Sequence, residues 1–128
     1  MKTLPKISEA EWQVMKILWN ESPLWAIDII NRLDNVSNWQ PKTVKTLIRR
    51  LVQKKAVSFE EDGKYYLYYP IVKEEECIKL ANDSFLNRVY GGSLNLMFSN
   101  FLKAKKLSEA EINDLKEILE KSIDESEE

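Results

Sequence analysis

The chain has 128 residues, a length that suffices for one domain or for a small domain with an oligomerisation appendage. Charged residues make up 31% of it, and the formal net charge is −2. Its single cysteine, Cys77, excludes an intrachain disulfide and a cysteine-rich metal site. Because the chain has no histidine, it lacks the commonest general base and metal ligand, and we expect neither enzymatic activity nor a cofactor.

The N-terminal residues predict no targeting segment. Residues 1–12 lack the apolar stretch of a signal peptide. No segment further along approaches the ~18 consecutive apolar residues of a membrane span. We therefore expect a soluble protein of the cytoplasm with no membrane insertion.

Two short helices are predicted in the first 40 residues. Ser8-Glu-Ala-Glu11 has the pattern of a capping box and predicts a helix over residues 9–19. A second helix is predicted over residues 26–33, where Ile27, Ile30 and Leu33 share one side. The four tryptophans are spread over separate elements, so core packing is favoured over a stacking platform for single strands: Trp12, Trp19, Trp25 and Trp39.

The next predicted helix, residues 41–55, has an apolar side and a cationic side. Pro41 suits its first turn, where a missing N–H costs no hydrogen bond. The apolar residues recur at the spacing of a single helical face: Val44, Leu47, Ile48, Leu51 and Val52. Residues 35–59 contain six basic residues and no acidic one, which indicates a local cationic surface. A hairpin with strands at 57–59 and 65–69 should follow, turning around Asp62-Gly63.

Three helices and a hairpin within residues 1–72 predict a winged helix-turn-helix, a mainly α fold that binds double-stranded DNA. A helix fits the major groove, where its N-terminal residues face base edges. The candidates for bases and nearby phosphates are Lys42, Thr43, Lys45, Thr46 and Arg49. The candidates for phosphates are Arg50, Lys54 and Lys55 in the helix and Lys64 at the hairpin tip.

Other interpretations of the basic helix remain open. Amphipathic helices with a solvated cationic side are common, and a winged helix can also serve as a module that docks on an acidic protein. Duplex DNA binding with a steep salt dependence would distinguish nucleic-acid contact from protein contact.

Residues 73–128 differ in character and carry a net charge of −5, against +3 for residues 1–72. Helices are predicted over 73–90 and 94–103, separated by Gly91-Gly92. A second capping box, Ser108-Glu-Ala-Glu111, opens a last helix with an acidic tail, residues 124–128, that should fray. Cys77 should be a buried small hydrophobe.

Three helices in the second half are too few to bury their own apolar side chains, so we expect a three-helix C-terminal dimerisation domain and a two-fold homodimer. The residues expected at the dimer interface are Leu80, Phe85, Val89, Leu94, Met97, Phe98, Phe101, Leu115 and Leu119.

Several long segments resemble the penicillinase and methicillin-resistance repressors (BlaI/MecI type). They are ISEAEWQVMKILW at residues 7–19, WQPKTVKTLIRRLVQKKAV at 39–57, FLNRVYGG at 85–92, LNLMFSNF at 94–101 and the final capped helix. The resemblance implies a homodimeric repressor with an N-terminal winged helix, which binds palindromic operators of β-lactamase or related resistance genes.

The resemblance also implies a way to release repression. In this family a β-lactam-sensing membrane protease system triggers cleavage of an Asn-Phe bond, and the matching pair here is Asn100-Phe101. Two departures from the family pattern, Lys45 where Arg is frequent and Gln40 where Ser is frequent, imply a different operator preference. A repressor of the same fold that answers another signal, such as metal stress, is an alternative. The copper-responsive relatives, however, end in a cysteine-rich motif that this chain lacks.

Overall fold

The structure is a computed structural model that describes residues 4–126. In that part of the chain six helices and three strands occur, in the order α1 (Glu9–Asn20), β1 (Leu24–Trp25), α2 (Ala26–Asp34), α3 (Pro41–Gln53), β2 (Val57–Asp62), β3 (Tyr65–Pro70), α4 (Glu74–Tyr90), α5 (Leu94–Ala104) and α6 (Glu109–Ser126). The chain forms two compact units, one ending at Asn82 and the other beginning at Asp83. The functional division that we set at residue 72 stays a prediction.

The first unit has a hydrophobic core built by α1, α2, α3 and the base of the sheet. Its buried residues are Val14, Met15, Leu18, Leu24, Ile29, Leu33, Val44, Leu47, Ile48, Leu51, Ala56 and Val57. The predicted apolar side of α3 contributes four of them, and Val52 is partly buried against the others. Because this side of α3 is fixed in the core, the opposite side of the helix faces solvent.

The predicted hairpin is part of a three-stranded antiparallel sheet with the order β1-β3-β2. Strand β1 was not predicted, because two residues are too few to show an alternating pattern. Asp62 pairs with Tyr65, so the loop consists of Gly63 and Lys64, one residue later than predicted. Gly63 has a φ of 64°, which a glycine adopts at little cost.

Helix α3 ends at Gln53, two residues before the predicted end at residue 55. The Lys55 N–H donates to the Val52 carbonyl and the Ala56 N–H to the Leu51 carbonyl, which is the Schellman arrangement. Lys55 has a φ of 66° in the left-handed region, where glycine is usual. The chain thus leaves the helix at Lys55 and enters β2 directly.

Lys55→Gly is expected to raise the free energy of unfolding by about 0.5–1 kcal/mol. Glycine carries no Cβ, so the left-handed conformation loses its steric cost, and the gain exceeds the extra backbone entropy lost on folding. Urea unfolding of the variant and the parent chain measures the difference. An unchanged or lower midpoint would show that the Lys55 side chain stabilises the fold by another route.

The tryptophans only partly follow the core prediction. Trp19 and Trp39 pack against the core of the first unit, and the Trp19 indole N–H donates to the Val72 carbonyl at 2.9 Å. Trp12 is half-buried, with its ring centroid 5.5 Å from that of Trp19. For Trp25 the prediction was wrong. It belongs to β1, is exposed, and donates its indole N–H to Asp62 Oδ2 at 3.0 Å.

Cys77 is buried, as predicted, and burial raises the pKa of its thiol, with a further contribution from the Glu76 carboxylate. It is the buried residue of α4, whose other apolar side chains are half-buried or exposed. No helix within residues 4–126 is long and apolar enough to cross a membrane.

The second unit consists of the end of α4 together with α5 and α6. Ser93 caps α5 by accepting from the Leu96 N–H, and Ser108 and Glu111 form the predicted capping box of α6. Helix α6 continues to Ser126, so fraying from residue 124 was wrong for the described part of the tail. Residues 127 and 128 lie outside it. Among residues 83–125 no side chain is buried.

Candidate nucleic-acid interface

The cationic side of α3 lies on the surface of the first unit. Lys42, Lys45, Arg49 and Arg50, which we call the cationic face, are exposed. Thr43 is also exposed. Thr46 is half-buried, and its hydroxyl donates to the Lys42 carbonyl one turn earlier at 3.0 Å, which leaves the oxygen free to accept a hydrogen bond.

The cationic face has no counter-charge from a side chain within residues 4–126. The ion pairs formed by the described side chains are Lys16–Glu74, Arg32–Glu21 and Lys54–Glu11. None of them involves a residue of the cationic face. Four like charges on one helix repel each other and attract a polyanion, so the local charge favours a phosphate backbone as partner.

Lys54 differs from the other cations predicted to contact DNA. Its ammonium donates to Glu11 Oε1 at 2.5 Å and to the Lys6 carbonyl at 2.9 Å. Glu11 is only 1% exposed. The structure therefore gives Lys54 a partner inside the protein, which the sequence pattern did not reveal.

Several contacts determine the charge of Glu11. Burial by itself raises the pKa of this carboxyl, but hydrogen bonds from Lys54 and from Ser8 outweigh burial and hold the pKa below the ordinary value of 4.5. A carboxyl with a lowered pKa binds its proton less tightly in the folded chain than in the unfolded chain. Ionised Glu11 thus stabilises the fold above the pKa of the unfolded chain.

The stabilisation by Glu11 is expected to disappear in acid. The stabilisation should be complete at pH values above the ordinary pKa of 4.5. It should be lost as the pH falls through the lower pKa that Glu11 has in the folded chain. Glu11→Gln keeps the capping box but cannot ionise. Urea unfolding of both proteins from about pH 7 to about pH 3 should show a stability difference that shrinks with acidity. A constant difference would contradict the ionised state assigned to Glu11.

Glu11 was missed as a key residue, although its position carried a signal. Glu11, Val14, Met15 and Leu18 recur at the spacing of one helical face, and all four are buried. A charged residue on a buried stripe requires a partner of opposite charge. The basic residues of segment 35–59, which contains no acidic residue, could have supplied that partner.

The wing, meaning β2, β3 and their loop, places Lys64 at its tip as predicted. Its outer half is otherwise acidic, with Glu60, Glu61 and Asp62 at the end of β2. The Trp25 indole reaches across the central strand to bind Asp62, so one of these carboxylates has a protein donor. The tyrosines lie on alternating sides of β3. Tyr66 and Tyr68 share one side and pack at a tilt against Phe59, with ring centroids 4.6 and 5.9 Å from that of Phe59.

The residues predicted for the dimer interface and the cleaved bond lie in α4, α5 and α6. Phe85, Met97 and Leu115 are half-buried, and the others are exposed: Leu80, Val89, Leu94, Phe98, Phe101 and Leu119. Asn100 and Phe101 are adjacent exposed residues within α5. The Phe101 ring has one aromatic neighbour in the second unit, Tyr90, with ring centroids 6.5 Å apart.

Comparison with known proteins identifies relatives of this chain. The penicillinase repressor of Bacillus licheniformis is 42% identical over 94% of this chain and 94% of its own length. The methicillin resistance regulatory protein MecI of Staphylococcus aureus (strain N315) is 38% identical over 91% of this chain and 94% of its own.

A solved structure resembles part of the chain. It is the solution structure of Bacillus licheniformis BlaI, in monomeric form, in complex with the blaP half-operator. That chain is 37% identical, with a TM-score of 0.52, and the match covers 59% of this chain and 93% of that one. The sequence family described as penicillinase repressor matches residues 7–121. The winged fold, the sequence identity and this match over most of the chain show that the protein belongs to the penicillinase repressor family.

Proposed function

We propose that the protein is a transcriptional repressor that binds double-stranded operator DNA as a two-fold homodimer, with α3 as its recognition helix. The observation that carries this proposal is the cationic face, four exposed cations on one helix that form no ion pair with the described part of the chain. A related chain with a similar winged domain is bound to a half-operator in its solved structure, which supports DNA as the polyanion.

The roles of the individual residues follow from the position of each along α3. Lys42, Thr43, Lys45, Thr46 and Arg49 lie in the first two and a half turns, which in helix-turn-helix proteins face base edges and the nearest phosphates. Arg50 lies further along the helix and contacts a phosphate. Lys64 at the wing tip contacts the neighbouring sugar-phosphate strand.

The second unit supports dimerisation. Most of its apolar side chains on α5 and α6 are exposed in the single chain, and exposed apolar patches are usually covered by a partner. A second copy would cover the same surface on both chains in a two-fold dimer. Two α3 helices would then enter successive major grooves about 34 Å apart and compete with RNA polymerase for a promoter.

Repression would end by cleavage of the Asn100–Phe101 bond, under the control of a membrane sensor protease system. The regulated genes would encode β-lactamase or related resistance functions. Cleavage would divide α5 and detach α6, which carries Leu115 and Leu119 of the expected interface, so the dimer should weaken sharply. Because the bond lies inside a helix, local unfolding of α5 would precede cleavage.

Arg49→Ala is expected to weaken binding to the preferred duplex by about 1–3 kcal/mol and to relax sequence preference. The probe is the duplex that the parent chain enriches from a randomised pool, which we call the selected duplex. A scrambled duplex of equal length serves as reference. Fluorescence anisotropy titrations measure both affinities.

Lys116→Ala, which also removes one positive charge but on α6, is the matched control. It should leave both affinities nearly unchanged. Equal losses on the selected and the scrambled duplex for Arg49→Ala would remove the base-reading role of this residue. If the parent chain enriches no sequence from the pool, the proposed function itself fails.

A further inference from the structure

The carboxylate of Glu11 serves two partners at once. Its Oε1 atom accepts from the Ser8 N–H at 2.9 Å, which closes the capping box of α1, and from the Lys54 ammonium at 2.5 Å. Glu11 lies in the first turn of α1, whereas Lys54 is the C-cap of α3. One buried oxygen therefore joins the start of α1 to the end of the recognition helix.

The second acceptor of Lys54 is also in the α1 region. The ammonium donates to the Lys6 carbonyl at 2.9 Å, in the segment that leads into the capping box. An ammonium has three donors, and two of them are used here. To neutralise a phosphate as fully as the cationic face does, Lys54 would have to leave Glu11.

Moving the Lys54 ammonium away from the Glu11 carboxylate would be unfavourable. A carboxylate that is 1% exposed and loses its counter-ion is left as an uncompensated buried charge, which is among the costliest arrangements in a protein. A phosphate contact at the protein surface is made in a high dielectric and is screened by salt. We therefore expect Lys54 to stay on Glu11 when DNA is bound.

The second capping box provides a comparison within the same chain. Glu111 occupies the same place in the second Ser-Glu-Ala-Glu and accepts from the Ser108 N–H at 3.1 Å. It is exposed, and it takes part in none of the ion pairs formed by the described side chains. A capping box thus forms without an ion pair to a lysine, so capping α1 does not by itself require the Glu11–Lys54 pair.

We propose that Glu11 and Lys54 are positioning residues, which fix the end of the recognition helix against α1, and that Lys54 does not neutralise a phosphate. This inference rests on the proposed function. It separates Lys54 from the cationic face, although all five residues belong to the same basic segment of the sequence.

The test uses the full chain with Glu11→Gln and Lys54→Met together. Glutamine retains the capping box, methionine retains the apolar stem, and no charge is left buried alone, so the fold should persist. Circular dichroism and urea unfolding verify folding first. Lys45→Met, which removes one member of the cationic face, is the comparison variant.

Two readouts distinguish positioning from phosphate binding. The slope of log K against log salt on the scrambled duplex should be unchanged in the double variant, whereas Lys45→Met should make it shallower by about 0.9. The preference for the selected over the scrambled duplex should fall about tenfold in the double variant, because a displaced helix no longer aligns one of its side chains with a base edge.

Each alternative result has a definite meaning. A slope shallower by about 0.9 in the double variant would make Lys54 a phosphate ligand and overturn the inference. An unchanged slope with unchanged preference would leave the pair a stabilising interaction only, which also overturns it. Failure of the proposed function is recognised separately, because the parent chain would then show no preference before any variant is compared.

Discussion

A chain that ends at Asn100 is expected to bind the selected duplex about 10²–10⁴-fold more weakly than the full chain. It retains the first unit, whose core residues all lie between Val14 and Val57, but it lacks α6 and the end of α5. When two recognition helices are linked, the second binds at a high effective concentration, and this advantage is lost in a monomer. Anisotropy titration measures affinity, and sedimentation equilibrium measures the oligomeric state.

A substitution in the full chain should reproduce the effect of the shorter chain. Phe98→Asp places a charge on the exposed apolar side of α5 and should produce a monomer with similarly weakened binding. Ser99→Asp adds the same charge at the neighbouring polar position and should leave the dimer intact. If Phe98→Asp remained a dimer at micromolar concentration, or if the shorter chain bound as tightly as the full chain, dimerisation through the second unit would be wrong.

Lys54→Met is expected to lower the free energy of unfolding by about 3 kcal/mol. This value is the lower end of the range for breaking a buried ion pair, and we choose it because the Lys54 side chain is partly exposed. The loss arises chiefly from Glu11, which is left ionised and buried without its counter-ion. Urea unfolding at neutral pH measures the change. Because the two residues act as a pair, adding Glu11→Gln should restore part of the loss.

Lys55→Met is the matched control for Lys54→Met. The two lysines are adjacent, but Lys55 takes part in none of the ion pairs among residues 4–126. It should therefore change stability far less. If the two substitutions cost the same, the ion pair would contribute nothing beyond the general charge of the segment, and the positioning role of Lys54 would lose its basis.

The helices could be predicted from the sequence because their signals are local. Both capping boxes and the apolar side of α3 use residues within a few positions of each other. Ser8 with Glu11, and Ser108 with Glu111, form the predicted reciprocal hydrogen bonds. The winged-helix fold followed from the order of these elements.

The features that the sequence did not reveal depend on contacts between distant residues. Strand β1 exists because Leu24 and Trp25 pair with β3, about 40 residues later, and two residues show no periodicity of their own. Trp25 was assigned to the core because the four tryptophans are spread over separate elements, although its hydrogen-bond partner is Asp62 at the wing. Hydrophobic composition alone does not determine which aromatic residue stays at the surface.

The candidate site also combines features that follow from local sequence with features that depend on distant residues. The exposed position of Lys42, Lys45, Arg49 and Arg50 follows from the helical period, and the structure confirms it. The different surroundings of Lys54 do not follow, because its partner Glu11 lies 43 residues away along the chain. Whether the exposed cations bind DNA stays a prediction, since charge and exposure suit any acidic partner.

The most direct test of operator binding is a titration of the full chain with the selected and the scrambled duplex at several salt concentrations. A repressor that reads bases through α3 should prefer the selected duplex by about 10³-fold or more. Its log K should also fall with log salt by about 0.9 for each phosphate neutralised. Equal affinity for both duplexes, with a slope near zero, would contradict operator binding and would assign the cationic face to an acidic protein partner.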